Sequence, residues 1–264
     1  MLSKKIEDHL RLLKVFYRAS FRTASKSPLN LWIATFIQLF YYVAQIAFWV
    51  GVRSTPGGAQ FISDSELIGF LLTVAVVDNA YLFALGAGSI HLAQRIQQLS
   101  LEPLLLMPRS TLGILLFSRP SFSYLPCLVW SVCALVAYHI TAGTDFYIVV
   151  VHFIATLSGI FVLTGISYLH RLTVFWTDSI VNIRNSNPSF KILVRPPASF
   201  RGPVRFALMT IFPALFITGV PFEILSGSRS SVWMVGVLAA ALLLWLYVGR
   251  VWKIGVKRYA RYAT

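Results

Sequence analysis

The side chains of this sequence with potential for chemistry lie inside long apolar runs. One group recurs at spacings of three and four residues, which places its members on one face of a helix: Gln38, Tyr41, Tyr42 and Gln45. A second pair, Asp78 and Asn79, stands near the centre of another apolar run. An ionised carboxylate facing lipid is costly, so Asp78 must face protein or water. Two interpretations stay open: Asp78 makes a structural hydrogen bond to a neighbouring helix, or it lines a substrate path with Tyr41, Tyr42, Gln45 and Asn79.

The residue patterns that enzymes use for catalysis are missing. The sequence contains no His-Glu-x-x-His zinc motif, no Gly-x-Ser-x-Gly nucleophile elbow and no Gly-x-x-x-x-Gly-Lys-Ser/Thr phosphate loop. Cys127 and Cys133 are the only cysteines, and they do not share a helical face. We therefore expect that this chain has no catalytic residue and binds no metal and no cofactor.

Composition and hydropathy indicate an integral membrane protein. The 264 residues are 57% hydrophobic and 12% charged, with a mean hydropathy of +0.72, whereas a soluble domain is about one quarter charged. A transmembrane helix needs about 20 apolar residues. Six runs satisfy this requirement, at 29–52, 67–90, 121–140, 146–170, 204–222 and 232–252. We predict an all-α polytopic membrane protein with six transmembrane helices.

The net charge of +14 follows the positive-inside rule. Residues 1–28 carry seven Lys/Arg, 91–111 carry two, 171–203 carry five with Arg205 just beyond, and 250–264 carry five. The opposite connections hold only Arg53 and Arg229. This distribution predicts that both termini are cytoplasmic. The basic excess is thus a topology signal, with attraction to anionic lipid as a secondary effect, and nucleic-acid binding is disfavoured.

The chain is predicted to be a single transmembrane domain, 1–264, in three parts. Within 1–28, apolar residues recur every three or four positions opposite Lys and Arg, which is typical of an amphipathic helix lying in the membrane interface. Such a helix is either a lipid-surface anchor or an elbow that also contacts a cytoplasmic partner. The six-span bundle covers 29–252, and a basic cytoplasmic tail covers 253–264.

The connection between the second and third runs, 95–109, is too polar to cross a bilayer and too rich in leucine for a solvated loop. A helical interpretation exposes apolar and polar surface together at the cytoplasmic boundary, as a docking element does. The candidate docking residues are Arg95, Gln98, Leu99, Glu102, Leu104, Leu105 and Arg109. The alternative is an amphipathic loop that touches lipid headgroups.

Two further features lie elsewhere in the bundle. The fifth run ends close to Pro221 and Glu223, and the eight residues 223–230 before Ser231 suit a tight turn or a short re-entrant piece at the outer surface. Pro221 and Glu223 are therefore candidates for an outer gate. His152 and His170 are interpreted as interhelical hydrogen-bond partners, with a titrating role as the less favoured alternative.

Several segments carry a resemblance to a known family. They are Leu-Glu-Pro-Leu-Leu-Leu-Met-Pro at 101–108, Phe-Trp at 175–176, Phe-Pro at 212–213 and Val-Pro-Phe-Glu-Ile-Leu at 220–225. With the amphipathic start and six runs, the chain resembles an ABC-2 type permease, and more narrowly the short, exporter-like subunits that lack a fused ATPase. In that branch the middle connection reads close to Gly-Glu-Leu-Asp-Phe-Leu-Leu-Leu-Arg-Pro. Leu104, Leu105, Leu106 and Pro108 match, whereas Met107 replaces the arginine.

The resemblance implies the partners and the activity. Two cytoplasmic ATP-binding subunits would bind ATP and Mg²⁺, a second identical or related permease would complete the pathway, and the connection at 94–110 would be the coupling helix. The implied function is an ATP-driven exporter or flippase of the bacterial plasma membrane, which moves an amphipathic, lipid-like or drug-like substrate outward by alternating access. The alternative is a non-transporting membrane subunit that anchors a cytoplasmic ATPase for an envelope process.

Overall fold

A computed structural model describes residues 2–54, 63–106, 111–177 and 195–262, with side chains described for all of these except 2–10, 12 and 90. Within these ranges the fold is helical, without strands. The helices are α1 Leu2–Ser25, α2 Pro28–Arg53, α3 Asp64–Tyr81, α4 Ala87–Gln97, α5 Glu102–Leu105, α6 Thr111–Phe117, α7 Leu125–Thr141, α8 Phe146–Leu172, α9 Gly202–Thr210, α10 Gly219–Leu225 and α11 Trp233–Tyr262. A π-helical turn, Leu82–Gly86, joins α3 to α4.

Five helical segments in the described part of the chain are long and apolar enough to cross a membrane. They are α2, α3 with α4, α7 with the short turn before it, α8 with the turn after it, and α11. They coincide with the first, second, third, fourth and sixth runs of the sequence. The chemistry of their starts agrees with helix initiation: Pro28 opens α2, and Ser63 with Glu66 forms a capping box at α3.

Helix α8 lies at the centre of the bundle and packs against α3, α10 and α11. Glycines let it approach its neighbours closely, because an added Cβ at Gly159 would collide with the Ile217 carbonyl, and one at Gly165 with the Leu244 side chain. The Trp245 indole N–H donates to the Phe161 carbonyl at 3.1 Å. The buried core of the described chain is built around these contacts.

Helices α8 and α11 run parallel, which defines the two ends of the bundle. Where both helices begin, the Tyr147 hydroxyl donates to Ser231 at 3.2 Å; we name this the Tyr147 end. Where both end, the Phe175 ring packs against Tyr259, and we name this the Tyr259 end.

The fifth predicted span, 204–222, is not one helix, and this prediction is corrected. Helix α9 ends before Pro213, whose ring interrupts helical hydrogen bonding, and α10 begins at Gly219. A continuous helix would hold Arg205 and Glu223 about 27 Å apart, yet the two side chains form an ion pair. Glu223 also pairs with Arg229, close to the start of α11. Arg205 thus lies at the Tyr147 end with Arg229. The sequence had instead grouped it with the basic connection 171–203, which was predicted to be cytoplasmic.

Labelling tests this corrected arrangement. In a background without Cys133, the exposed one of the two native cysteines, we expect Pro203→Cys and Ser228→Cys to react with a membrane-impermeant maleimide from the same side. Lys257→Cys should react from the opposite side, because it lies near the end of α11. If Pro203→Cys reacted from the same side as Lys257→Cys, the correction would be wrong and 204–222 would span the membrane as predicted.

Candidate functional site

A buried polar cluster joins α2 to α3 within the bundle. Gln38 Nε2 and the Tyr42 hydroxyl each donate to Asp78 Oδ2 at 3.0 Å, and they lie 3.2 Å from each other. Gln38 and Tyr42 are four residues apart and so share one face of α2. The Asp78 residue is 6% exposed. The carboxyl group therefore faces protein, and its contacts are those of an interhelical bridge.

The other predicted path residues do not all join this cluster. The Tyr41 residue is 37% exposed and packs edge-on against Tyr42, and the Gln45 side chain bonds to Tyr41. Asn79 instead donates to the Cys127 carbonyl of α7 at 3.5 Å. A cavity of about 40 Å³ adjoins Tyr42, which is room for roughly one water. The predicted path residues of α2, which are Tyr41, Tyr42 and Gln45, thus lie together, whereas Asn79 contacts α7.

Substitution of Asp78 distinguishes its two interpretations. We expect Asp78→Leu to lower the melting temperature in detergent by several degrees, because the Gln38 and Tyr42 donors each lose a buried acceptor at a cost of about 1–3 kcal/mol. Asp78→Asn keeps an acceptor oxygen and should melt close to the unchanged protein. If Asp78→Asn assembled normally but changed which substrates stimulate a partner ATPase, Asp78 would belong to the substrate path.

The predicted docking segment is not one helix. Helix α4 ends at Gln97, Leu99 has a positive φ of 50°, and the four-residue α5 follows. A residue in the left-handed region cannot continue an α-helix. Between the two helices Leu101 is fully buried, and its N–H donates to the Tyr259 hydroxyl at 3.2 Å. The segment is therefore a bent connection anchored to α11.

Burial divides the candidate docking residues into two groups. The Leu99 residue is 53% exposed and Leu106 is 85% exposed, and Gln98 and Glu102 are also exposed. Leu104 and Leu105, in contrast, are half-buried and pack against the core. Half-buried Arg95 lines a cavity beneath α1. Arg109 lies outside the described residues. We name the exposed residues Gln98, Leu99, Glu102 and Leu106 the docking surface, a role that is proposed below; Leu106 was not among the predicted docking residues.

The candidate gate centres on Glu223 in α10. This residue is 7% exposed and pairs with Arg205 of α9 and Arg229. The Arg229 guanidinium also stands 4.3 Å from the ring centroid of Trp233, a cation–π contact. Pro221 is buried in the same short helix. The two arginine partners were not predicted from the sequence, although a single acid between two arginines was the available signal.

A second set of polar side chains forms a chain of hydrogen bonds across α3, α8 and α7. Of its two histidines, only His152 was predicted from the sequence. Thr73 donates to the Gly69 carbonyl at 2.8 Å, so its oxygen accepts from His152 Nε2 at 3.2 Å. His152 Nδ1 then accepts from His139 Nε2, also at 3.2 Å. With this assignment both imidazoles are neutral, and His139 Nδ1 is a buried acceptor without a partner. His139 and His152 thus connect helices.

Comparison with known proteins decides the family. The family described as "ABC-2 family transporter protein" matches residues 63–262, which is 200 of the 264 residues. The chain belongs to the ABC-2 transporter family. No curated protein and no solved structure shows a significant match. The match runs from α3 through α11, so it includes Asp78, the docking segment and Glu223 but neither α1 nor α2.

Family membership and the apolar helices together make this chain a multi-pass transmembrane subunit of a transporter. Membrane subunits of ABC-2 transporters are generally non-catalytic and typically work with an ATP-binding subunit. Within the described ranges no cluster of three or more His, Cys, Asp or Glu residues could hold a metal ion. The buried groups Asp78, His152 and Glu223 make contacts between helices.

Proposed function

We propose that this ABC-2 subunit is the membrane half of an ATP-driven exporter or flippase that moves an amphipathic, lipid-like or drug-like substrate outward. A separate subunit would bind ATP and Mg²⁺ and hydrolyse the nucleotide. The observation that carries the proposal is the segment at 98–106, where exposed Leu99 and Leu106 flank the anchored residue Leu101. A surface segment that is anchored by a buried residue and carries exposed apolar side chains suits docking of a protein partner.

The anchoring of this segment is what makes it suitable for transmitting force. Leu101 bonds to Tyr259 near the end of α11, and α4 leads from the segment back through the π-helical turn to α3. A displacement of the docked partner would therefore act on two helices of the bundle at once. Differential binding of the ATPase to two arrangements of these helices would couple hydrolysis to a change of access.

The proposed orientation places the Tyr259 end in the cytoplasm of a bacterium. The seven Lys/Arg of residues 1–28 and the five of residues 250–264 support this choice by the positive-inside rule. Because Arg205 lies at the Tyr147 end, that end has one more positive charge than predicted. The excess of Lys and Arg at the Tyr259 end remains large. The ATPase would then meet the docking surface in the compartment that holds ATP.

A second permease and two ATPase subunits complete the proposed assembly. In the described single chain, only 17% of an 18-residue apolar stretch of α2 is buried. Tyr41 lies on the partly exposed side of this helix, next to Tyr42. This surface would face lipid or the second permease. A path between the two permeases would pass Tyr41 and Gln45, with Asp78 behind them, which suits a substrate with an apolar body and a few polar groups.

Reconstitution tests the proposal. The chain would be co-expressed in turn with the phosphate-loop ATPase subunits of the same genome and placed in vesicles with a fluorescently labelled phospholipid. We expect a complex with two ATPase subunits and an ATP-dependent change in the leaflet distribution of the label. Failure to bind any ATPase would overturn the proposal. A complex that hydrolyses ATP but moves neither labelled lipid nor amphipathic dyes would favour the alternative, a non-transporting anchor for an ATPase.

A further inference from the structure

A cavity of about 680 Å³ lies beneath the amphipathic helix, between α1, α4, α6 and the turn at 118–123. Its volume falls in the range of ordinary ligand pockets. Aromatic contacts hold α1 over it: the Phe21 ring packs edge-on against Phe122 at 5.3 Å, and Tyr17 packs against both Phe83 and Phe122. One wall of the cavity is therefore fixed by packing.

The polar lining of this cavity is cationic. Arg95 and Arg119 both line it, and among the described side chains no Asp or Glu does. The three ion pairs among the described residues involve neither arginine. Arg119 donates to His91 Nε2 at 2.9 Å, and because a guanidinium has no acceptor, this nitrogen carries no proton and His91 is neutral in the contact. The cavity thus presents two guanidinium charges without a protein counter-ion in the described chain.

The remaining lining combines hydroxyl donors with an apolar floor. Ser118 and Ser121 stand beside Arg119, and Leu104 and Ile114 belong to the apolar part. Guanidinium and hydroxyl groups together are the usual ligands of a phosphate group. The apolar side chains would accept the part of an amphiphile that adjoins its headgroup.

The position of the cavity along the bundle matches the depth of lipid headgroups. Arg95 stands in the last turn of α4, at the Tyr259 end where this apolar helix stops. The opposite wall is an amphipathic helix, a type that lies along the headgroup region. A ligand from the bilayer would therefore meet the guanidinium groups with its phosphate and the floor with its glycerol and proximal acyl carbons.

We propose that the cavity bounded by Arg95, Arg119 and α1 is a binding site for the headgroup of an anionic phospholipid. It is separate from the docking surface and from the Asp78 cluster. The site would tie the amphipathic helix to α4 through a lipid, so the occupancy would respond to the anionic lipid content of the membrane. The binding requires neither ATP nor the partner subunit, so this proposal stands or falls independently of the transport function.

Lipid titration of the purified full-length chain in detergent tests the site. The probes are phosphatidylglycerol and zwitterionic phosphatidylcholine, with bound lipid counted by native mass spectrometry and stability followed by thermal melting. We expect one phosphatidylglycerol per chain, retained about tenfold better than phosphatidylcholine. An arginine beside an anionic headgroup strengthens binding roughly fivefold. Removal of both charges in Arg95→Gln with Arg119→Gln should therefore weaken phosphatidylglycerol binding roughly thirtyfold.

Two control variants separate the site from general charge and from misfolding. Lys253→Gln with Lys257→Gln removes two exposed charges from α11, near the same end, and should leave binding within about twofold. Arg95→Lys with Arg119→Lys keeps both charges and should retain the preference for phosphatidylglycerol. Equal losses in the glutamine variants of both pairs, or unchanged binding in Arg95→Gln with Arg119→Gln, would overturn the site.

Competition identifies the source of the phosphate. Inorganic phosphate and glycerol 3-phosphate carry the same charged group without acyl chains. We expect neither to displace phosphatidylglycerol at a hundredfold excess, since they cannot use the apolar floor. Displacement by either compound would overturn the assignment to a membrane lipid and assign the cavity to a soluble phosphate.

Discussion

Replacing Leu99 with asparagine and Leu106 with aspartate should detach the partner ATPase from this ABC-2 subunit. Both leucines are exposed at the Tyr259 end, and burying such a side chain in a partner groove contributes about 1.5–3 kcal/mol. At the lower of these values, loss of both contacts corresponds to a weakening of roughly a hundredfold. Pull-down of the ATPase by the tagged permease, followed by titration of the two purified components, measures this loss.

The design of this variant follows from the backbone and from burial. Leu99 has a positive φ, a conformation that asparagine adopts more readily than most residues, so the bend is kept. Leu106 contacts little of its own chain. Leu104 and Leu105 pack against the core, so polar substitutions there would also destabilise the permease, and a loss of binding could not be attributed to docking.

Leu106→Met is the matched control, because it keeps an apolar side chain of similar volume, and it should bind the ATPase as the unchanged protein does. The melting temperature of the asparagine–aspartate variant should stay within about 2 °C, since exposed substitutions cost little. If the variant folded and still bound and stimulated the ATPase, residues 98–106 would have no coupling role. The contact of this segment with lipid headgroups would then be the remaining interpretation.

Replacing Glu223 with glutamine should destabilise the subunit strongly. The carboxylate is buried and is the ion-pair partner of both Arg205 and Arg229, and breaking a buried pair costs about 3–5 kcal/mol because it leaves an uncompensated charge. Partial exposure of Arg205 reduces this value, since water can solvate its guanidinium. We expect the melting temperature in detergent to fall by roughly 5–10 °C.

Two comparisons test the physical cause of this effect. Glu102→Gln removes an exposed carboxylate and should change the melting temperature by less than about 2 °C. Glu223→Gln combined with Arg205→Gln should melt above Glu223→Gln alone, because one of the two uncompensated charges is then absent. If the double variant were the less stable one, charge neutralisation would not be what Glu223 contributes.

Much of the framework was predictable from the sequence because hydropathy is a local property. The runs at 29–52, 67–90, 121–140, 146–170 and 232–252 appear as helices, since a long stretch of apolar residues satisfies its backbone in lipid only by helix formation. The family was predictable as well, and the match over 63–262 confirms it. The run at 204–222 was misjudged, because its length and hydropathy equal those of a span while Pro213 interrupts it.

What only the tertiary structure decided is which side chains meet. Asp78 was expected to face protein or water, but its pairing with Gln38 and Tyr42 depends on how α2 rotates against α3. Leu101, Leu104, Leu105 and Leu106 are chemically identical in the sequence, and the packing of the fold buries the first, half-buries the next two and leaves the last exposed. By itself the sequence determined the class of protein, most of its membrane-spanning helices and the segments that carry polar groups, because these follow from the transfer free energy of neighbouring residues. The ion pairs of Glu223 and the cavity beneath α1 required the fold, since contacts between distant residues depend on the packing of whole helices.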